Sequence, residues 1–253
     1  MIFFSSYQVT SRLDLEEAFE LVSSHFEGWE IVGEGVHSIA DIRSDLERLI
    51  PSYDLELSLH APFSDVNIGS FNRRMLDESV KQVIEAIEIA SELGMGSVTL
   101  HPGHLSPISF SEPEKVLDIT KESVKEIDAK IGELGIKVGV ENMPDMVVTI
   151  CLKAEDLLHV IEGTDIGICF DVGHANTTGE MENFLQLTDK FINVHVHDND
   201  GRSDYHLPLG EGTVDFKSVL RELSGYSGNF VLEARTMDGV LKGKGFLEEL
   251  LVK

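Results

Sequence analysis

Short runs of β-branched and apolar residues recur along the chain. Between them lie segments whose apolar residues fall three and four apart. The runs are IFF from residue 2, WEIVGE from 29, LELSLH from 55, SVTLH from 97, KVGVEN from 137, IGICFD from 166, FINVHVH from 191 and NFVLEA from 229. Such runs, bounded by turn signals, predict buried strands. The intervening segments are LDLEEAFELVSSHF (13–26), IADIRSDLERLI (39–50), MLDESVKQVIEAIEIASELG (75–94), PEKVLDITKESVKEIDAKIGELG (113–135), AEDLLHVIE (154–162), EMENFLQLT (180–188), FKSVLRELSG (216–225) and KGFLEELLVK (244–253). Their spacing gathers the apolar side chains into one stripe of an amphipathic helix. Gly94, Gly135, Gly163 and Gly225 supply stop signals.

Eight predicted strands thus alternate with eight predicted helices, which implies parallel strands joined by crossover helices. Eight such units in 253 residues is the count of a (β/α)8 TIM barrel, an α/β fold. A doubly wound open sheet would carry fewer strands and a glycine-rich first turn. GMGSVTL and GEGV do not supply that turn, because neither follows a strand and opens a helix at the right spacing. No linker, low-complexity tract or strict repeat interrupts the pattern, so one domain over 1–253 is expected.

Composition narrows the partners. The net charge is −25, from 45 acidic and 20 basic residues. Nucleic-acid binders carry basic surface that displaces counterions from phosphates, so a nucleic-acid partner is disfavoured. A strongly solvated acidic surface is the plain reading. The opening apolar run is too short for a signal peptide, and no later run approaches a membrane span, so no membrane partner is expected. Cys151 and Cys169 give no disulfide framework and point to a reducing, cytoplasmic setting.

The chemistry collects at the C-terminal ends of the predicted strands. There lie Glu34, His60, His101, Glu141, Asp171 with His174 three residues on, His195, His197 and Glu233. In a (β/α)8 barrel these ends face one shared cavity. Of ten histidines, only His25 and His159 fall inside predicted helices; the other eight lie at strand ends or in the loops after them. Scattered structural histidines would show no such bias. Imidazoles and carboxylates converging on one cavity suit a divalent ion such as Zn²⁺ or Mn²⁺. Carboxylates buried together without a cation would repel one another and take up protons. The stretch HVHDNDGRSDYHLPLGEG (195–212) therefore reads as the seventh strand end plus a loop, supplying ligands from His195, Asp204 and His206.

The motifs LHAPFSDVNIGS, TLHPGH, VGVENMP, GICFDVGHA, HVHDND, DYHLPLGEGTVDF and LEAR resemble those of the xylose-isomerase-like barrel superfamily. That superfamily holds sugar isomerases and epimerases together with apurinic-site nucleases of the endonuclease IV type. The resemblance spans essentially the whole chain and implies two outcomes. As a sugar or sugar-phosphate isomerase or epimerase, the chain would hold one metal through Glu141, Asp171, His195 and Glu233. Glu141 and Glu233 would then also be the catalytic acid/base pair. As a trinuclear zinc phosphodiesterase, it would hold one ion with His60, His101 and Glu141 and a second with Glu141, Asp171, His195 and Glu233. His174, Asp204 and His206 would hold the third.

Three features depart from the nuclease pattern. Phe63 stands where those nucleases carry tyrosine, with one residue more before the asparagine. Val172 and Gly173 replace a threonine-cysteine pair between Asp171 and His174, and the charge is strongly negative. The leading expectation is therefore a metal-dependent isomerase or epimerase of a small sugar or sugar phosphate with one to three ions. The phosphodiesterase is the alternative, and a non-catalytic metal-binding protein with a saturated site is a third.

Smaller features carry weaker expectations. GKG (243–245) would open the last helix and bind phosphate through its N–H groups. Arg73, Arg74, Arg202 and Arg235 lie in or near loops on the catalytic side, where exposed salt-bridging is the default. His104 and His197 rank below the nine ligand candidates, as residues that orient ligands. Trp29 reads as packing, Gly210 and Gly212 as turn-formers around Glu211, and Glu34 as a cavity-lining residue without a match.

Overall fold

The computed structural model describes residues 1–251; Val252 and Lys253, the end of the expected last helix, lie outside the described residues. Eight parallel strands close into a barrel in chain order: β1 (Ile2–Phe4), β2 (Gly28–Val32), β3 (Glu56–His60), β4 (Ser97–Leu100), β5 (Lys137–Glu141), β6 (Gly167–Asp171), β7 (Phe191–Val196) and β8 (Asn229–Leu232). β8 pairs with β1 and completes the closure. The (β/α)8 expectation is thus met. The helices are α1 (Tyr7–Thr10), α2 (Leu15–Ser23), α3 (Ile39–Leu49), α4 (Arg73–Glu92), α5 (Pro113–Ile131), α6 (Ala154–Ile161), α7 (Val172–Thr178), α8 (Met181–Leu185), α9 (Phe216–Glu222) and α10 (Met237–Leu251).

Strand alternation decides which side chains enter the barrel. On β7, Val194 and Val196 join the apolar core shared with the helices. Asn193, between them and the strand start, points inward and donates to Glu30 (2.6 Å) and Thr99 (3.3 Å) across the barrel. Ser58 also donates to Glu30, so the barrel interior holds a polar layer beneath the strand ends. The main apolar core lies between strands and helices. There Trp29 meets Phe19 edge-on at 5.2 Å, and Phe170 stacks on Phe191 at 4.7 Å. Each such side chain removed from water contributes roughly 1.5–3 kcal/mol. Trp29 is therefore packing, as expected.

Register aligns the chemistry. Asp171 pairs with His195 across β6 and β7, so this carboxylate and imidazole stand side by side at the strand ends.

Several expectations need correction. β2 ends at Val32, so Glu34 belongs to the following loop and not to a strand end. α7 starts directly after β6, with the Asp171 side chain accepting from His174 N at 2.7 Å as its cap. Its polar sequence hides it from a periodicity reading. α10 begins at Met237, so GKG sits inside the helix and its N–H groups do not form a phosphate-binding helix start. Glycine normally weakens a helix interior. Here Gly239 and Gly243 are buried where the helix packs on Pro208 and Leu209, and the close approach favours residues without side chains. Gly94, Gly135 and Gly163 take the left-handed φ of helix stops, whereas Gly225 does not.

Candidate metal centre

All nine sequence-predicted ligand residues stand at the C-terminal mouth of the barrel. Glu141, at the end of β5, is the hub. Its Oε2 faces His60 Nε2 (3.3 Å) and His101 Nε2 (3.1 Å), and its Oε1 faces His195 Nδ1 (3.2 Å). Glu233, just past β8, brings Oε1 to 3.2 Å from the same His195 nitrogen. Asp204 Oδ2 lies 3.0 Å from His206 Nε2 and 3.6 Å from His174 Nε2. Donor atoms of His60, His101 and Glu141 fall within 4.8 Å of one another, as do those of Glu141, Asp171 and His174.

The histidines are oriented by fixed acceptors, which assigns their tautomers. His60 Nδ1 donates to the Ala61 carbonyl (2.9 Å), His174 Nδ1 to the Asn142 carbonyl (2.8 Å) and His206 Nδ1 to the Glu233 carbonyl (2.9 Å). In each ring the Nε2 lone pair is left facing the cluster. Asn142 also clamps Asp171, accepting from its N–H (2.7 Å) and donating to its carbonyl (2.9 Å).

The loop that carries Asp204 and His206 is built on Asp198. This buried carboxylate accepts from the backbone N–H groups of Asn199, Gly210, Gly212 and Val214 at 2.9–3.1 Å. Gly210 adopts φ +83°, and a Cβ on Gly212 would overlap the Asn199 backbone, so the turn uses both glycines. His206 itself is held at φ +49°, a conformation that non-glycine residues seldom take.

Sequence reasoning passes over Glu30 and ranks His197 below the nine; both lie at the centre. Glu30, in the middle of β2, is fully buried and sets its Oε1 2.9 Å from His195 Nε2. His197, also fully buried, lies within the ligand cluster beside His174, Asp204 and His206. Alternation with His195 is the signal for the second, and a lone carboxylate within an apolar strand is the signal that could have found the first.

Other candidates lie elsewhere. Glu34 does not line the cavity mouth; it accepts from Phe63 N and Ser64 N at 3.0 Å and from the Ser64 hydroxyl. It thereby holds the loop whose Phe63 ring packs 4.5 Å from His101. His37 packs edge-on against Trp29, away from the cluster. His104 is half-buried in a bridge to Thr149. Among the four arginines only Arg235 lines the cavity. Arg73 pairs with Asp77, and Glu211 pairs with Lys242.

The cavity has a volume of about 310 Å³. Seven of the nine candidates form its floor, with Asp171 and His195 beneath. Burial drives the Glu141 carboxyl toward neutrality, but His195, His101 and His60 outweigh it and hold it well below the usual range. Burial raises Glu233, and His195 and His206 only partly offset this. Five carboxylates (Glu30, Glu141, Asp171, Asp204 and Glu233) share the site, and among the described residues Arg235 is the one Lys or Arg side chain lining the cavity. His195 Nδ1, Asp171 Oδ2, Asp204 Oδ1 and both nitrogens of His197 are buried without a hydrogen-bond partner. Orphaned lone pairs beside uncompensated negative charge are what a divalent ion satisfies, so these residues fit a metal.

The sequence profile of the xylose isomerase-like TIM barrel family matches residues 19–250. The chain is 36% identical to an uncharacterized protein of Methanocaldococcus jannaschii, over 94% of this chain and 85% of that one. It is 26% identical to fructoselysine 3-epimerase of Shigella flexneri, over 89% and 87% of the two chains. It is also 26% identical to a probable endonuclease 4 of Aquifex aeolicus, over 65% of each. The crystal structure of a D-tagatose 3-epimerase-like protein superposes with a TM-score of 0.90 at 35% identity, covering 100% of this chain and 97% of that one. Among the described residues, no helix is long and apolar enough to cross a membrane.

Proposed function

Because the chain belongs to the xylose isomerase-like TIM barrel family, we propose that it is a divalent-metal-dependent isomerase or epimerase of a small sugar or sugar phosphate. The observation that carries this reading is the pairing of Glu141 and Glu233, each 3.2 Å from one His195 nitrogen at the floor of the cavity. At about 310 Å³ the cavity is at the small end of ligand pockets and suits a monosaccharide. One lining arginine is meagre provision for a polyanion. The epimerase names among its relatives agree with this substrate class.

In this reading Glu141, Asp171, His195 and Glu233 hold a Zn²⁺ or Mn²⁺ ion, which supplies Lewis-acid polarisation of a sugar carbonyl and the neighbouring hydroxyl. The chain's own groups move the proton. One of Glu141 and Glu233 removes it from the carbon beside the carbonyl, and the C–H electron pair shifts toward the carbonyl oxygen. The other carboxyl returns a proton to the opposite face, so the centre inverts with no net redox change. Glu30 sets its negative charge behind the His195 ring, and Phe63 packs against the His60 and His101 rings.

A second reading, a zinc phosphodiesterase, draws on the additional donors His60, His101, His174, Asp204 and His206, for which a one-ion epimerase has no evident use. One experiment separates the two. Metal-loaded protein is incubated in D2O with ketohexoses, D-tagatose and D-fructose among them, and with ketose phosphates, and then with a duplex holding an abasic site. NMR should report deuterium at the carbon next to the carbonyl and a new epimer. Strand cleavage with no exchange in any sugar would replace the isomerase reading with the phosphodiesterase.

A further inference from the structure

The seam where the barrel closes gives the cavity one wall unlike the others. β1 and β8 are hydrogen-bonded neighbours, with Phe4 opposite Leu232. The segments that leave them run side by side at the mouth. Ser5 N–H donates to the Leu232 carbonyl (2.9 Å), and the Ser6 hydroxyl donates to the Ala234 carbonyl (2.9 Å). Ser5, Gln8 and Arg235 line the cavity from this seam. After β3 and β5 the lining above the ligand cluster is instead Phe63, Met143, Pro144 and Met146.

Three groups at the seam are donors in want of an acceptor. Arg235 gives one Nη2 bond to the Asp204 carbonyl (3.0 Å) and keeps further guanidinium N–H groups. Among the described residues it forms no ion pair with a carboxylate, whereas Arg43, Arg48 and Arg73 all do. Ser5 is only 2% exposed and lines the cavity, yet its hydroxyl, unlike that of Ser6, is given to no acceptor among the described residues. A hydroxyl placed so is satisfied only by what enters the cavity. The third group is the start of α10, which opens at Met237, two residues after Arg235, and runs for 15 residues. Its positive end and first N–H groups lie beside Arg235 in the chain. Thr236 Oγ1 accepts from Gly239 N (3.1 Å). Asp238, in the first turn, is exposed and outside the cavity lining.

A planar fork, a buried hydroxyl and a helix start approach from different directions. The three oxygens of a phosphate monoester can meet all of them, whereas the two coplanar oxygens of a carboxylate match the fork alone. We infer that this corner binds the phosphate of a sugar phosphate, and that Arg235 sets the preference over the free sugar. The inference deepens the isomerase reading and rests on it for the reacting end of the substrate, which lies at Glu141 and Glu233. Binding energy gained at the phosphate then holds the reacting carbon in place.

The test uses the zinc-loaded full chain. Binding of D-fructose 6-phosphate, D-tagatose 6-phosphate and D-ribulose 5-phosphate is measured by calorimetry beside that of the three parent ketoses. The proteins are wild type, Arg235→Gln, Arg235→Lys, Ser5→Ala and, as a surface control, Arg73→Gln. Deuterium exchange in D2O is followed on the same pairs. Wild type should favour the phosphate in at least one pair by about 10- to 150-fold, the range for hydrogen bonds to a charged group. Arg235→Gln should erase most of that preference. Arg235→Lys should keep part of it, because the charge remains and the fork does not. Ser5→Ala should lower it by a smaller factor, and Arg73→Gln should match wild type. In exchange, the loss in Arg235→Gln should fall on KM more than on kcat. Arg235 is exposed, so its variants should fold and decide the matter even if Ser5→Ala does not. No preference in any pair overturns the inference, whether the parents bind as tightly or nothing binds. A preference that survives intact in Arg235→Gln overturns it too, since the phosphate would then sit on the ion. A preference that Arg235→Gln erases, with no exchange in any sugar, removes the isomerase reading and leaves the phosphate site standing. Exchange in the free ketoses with no preference for their phosphates does the reverse.

Discussion

Glu30 of β2 and His195 of β7 meet inside the barrel, Oε1 to Nε2 at 2.9 Å, both fully buried. Nδ1 of the same ring faces Glu141 and Glu233, and a carboxylate charge behind a ligand ring raises its basicity. Glu30→Gln keeps the volume and an acceptor oxygen but removes the charge. It should lower zinc affinity about 10- to 100-fold with the barrel still folded. Competition against a chromophoric chelator, with circular dichroism as the folding control, measures this. Wild-type affinity in the variant would show that Glu30 serves only the polar layer it shares with Ser58 and Asn193.

Asp198 accepts four backbone N–H groups and defines the loop that presents Asp204 and His206. Asn at this position offers one acceptor oxygen and turns an NH₂ toward N–H donors. With two donors left unpaired at roughly 1–3 kcal/mol each, Asp198→Asn should cost about 3 kcal/mol. For a chain of this size that lowers the melting temperature by about 6–12 °C. Thermal melts of zinc-loaded protein check it, and a shift below a couple of degrees would mean that the loop is held by other contacts.

Much of this centre is legible in the chain because a parallel barrel imposes simple rules. Its strands, buried on both faces, read as apolar runs, and a His, Asp or Glu ending such a run is at the active end. His60, Glu141 and Asp171 follow that rule directly. Glu30 escapes it because it lies mid-strand, where side chains face the barrel interior instead of the mouth. Glu34 misleads because GE extends the apolar run on paper, while the strand stops at Val32. GKG misleads because glycine weakens helices in isolation; the buried packing of Gly239 and Gly243 on Pro208 and Leu209 appears only in three dimensions.

Glu141 and Glu233 should differ on removal, although both serve as acid/base groups in the proposed reaction. Glu141 presents one oxygen to His60 and His101 and the other to His195, so it belongs to two donor sets. Glu233 pairs through its side chain with His195 Nδ1 and, at 3.8 Å, with His206 Nδ1. Glu141→Gln should therefore lose more metal per chain than Glu233→Gln. Both should slow deuterium incorporation into the sugar by at least about 100-fold. Elemental mass spectrometry with NMR exchange rates tests the pair. Equal metal loss in both variants would contradict the bridging position of Glu141.

His37 gives a pH effect on stability that is separable from the metal cluster. It is buried against Trp29, with ring centroids 6.0 Å apart. Burial pulls its pKa below the ordinary 6.5, with the Leu13 backbone and Asp14 only partly opposing. A base with a depressed folded pKa binds fewer protons folded than unfolded, so stability rises with pH across the gap. The wild type should therefore lose stability as pH falls below about 6.5 and level off only beneath the folded pKa. His37→Gln removes that term, while the distant cluster histidines contribute to both proteins and cancel in the difference. Denaturant unfolding at several pH values between about 7.5 and 5 should thus show the wild type descending more steeply than the variant on the acid side. Parallel curves would mean that His37 is protonated equally in both states and that its burial against Trp29 costs nothing in acid.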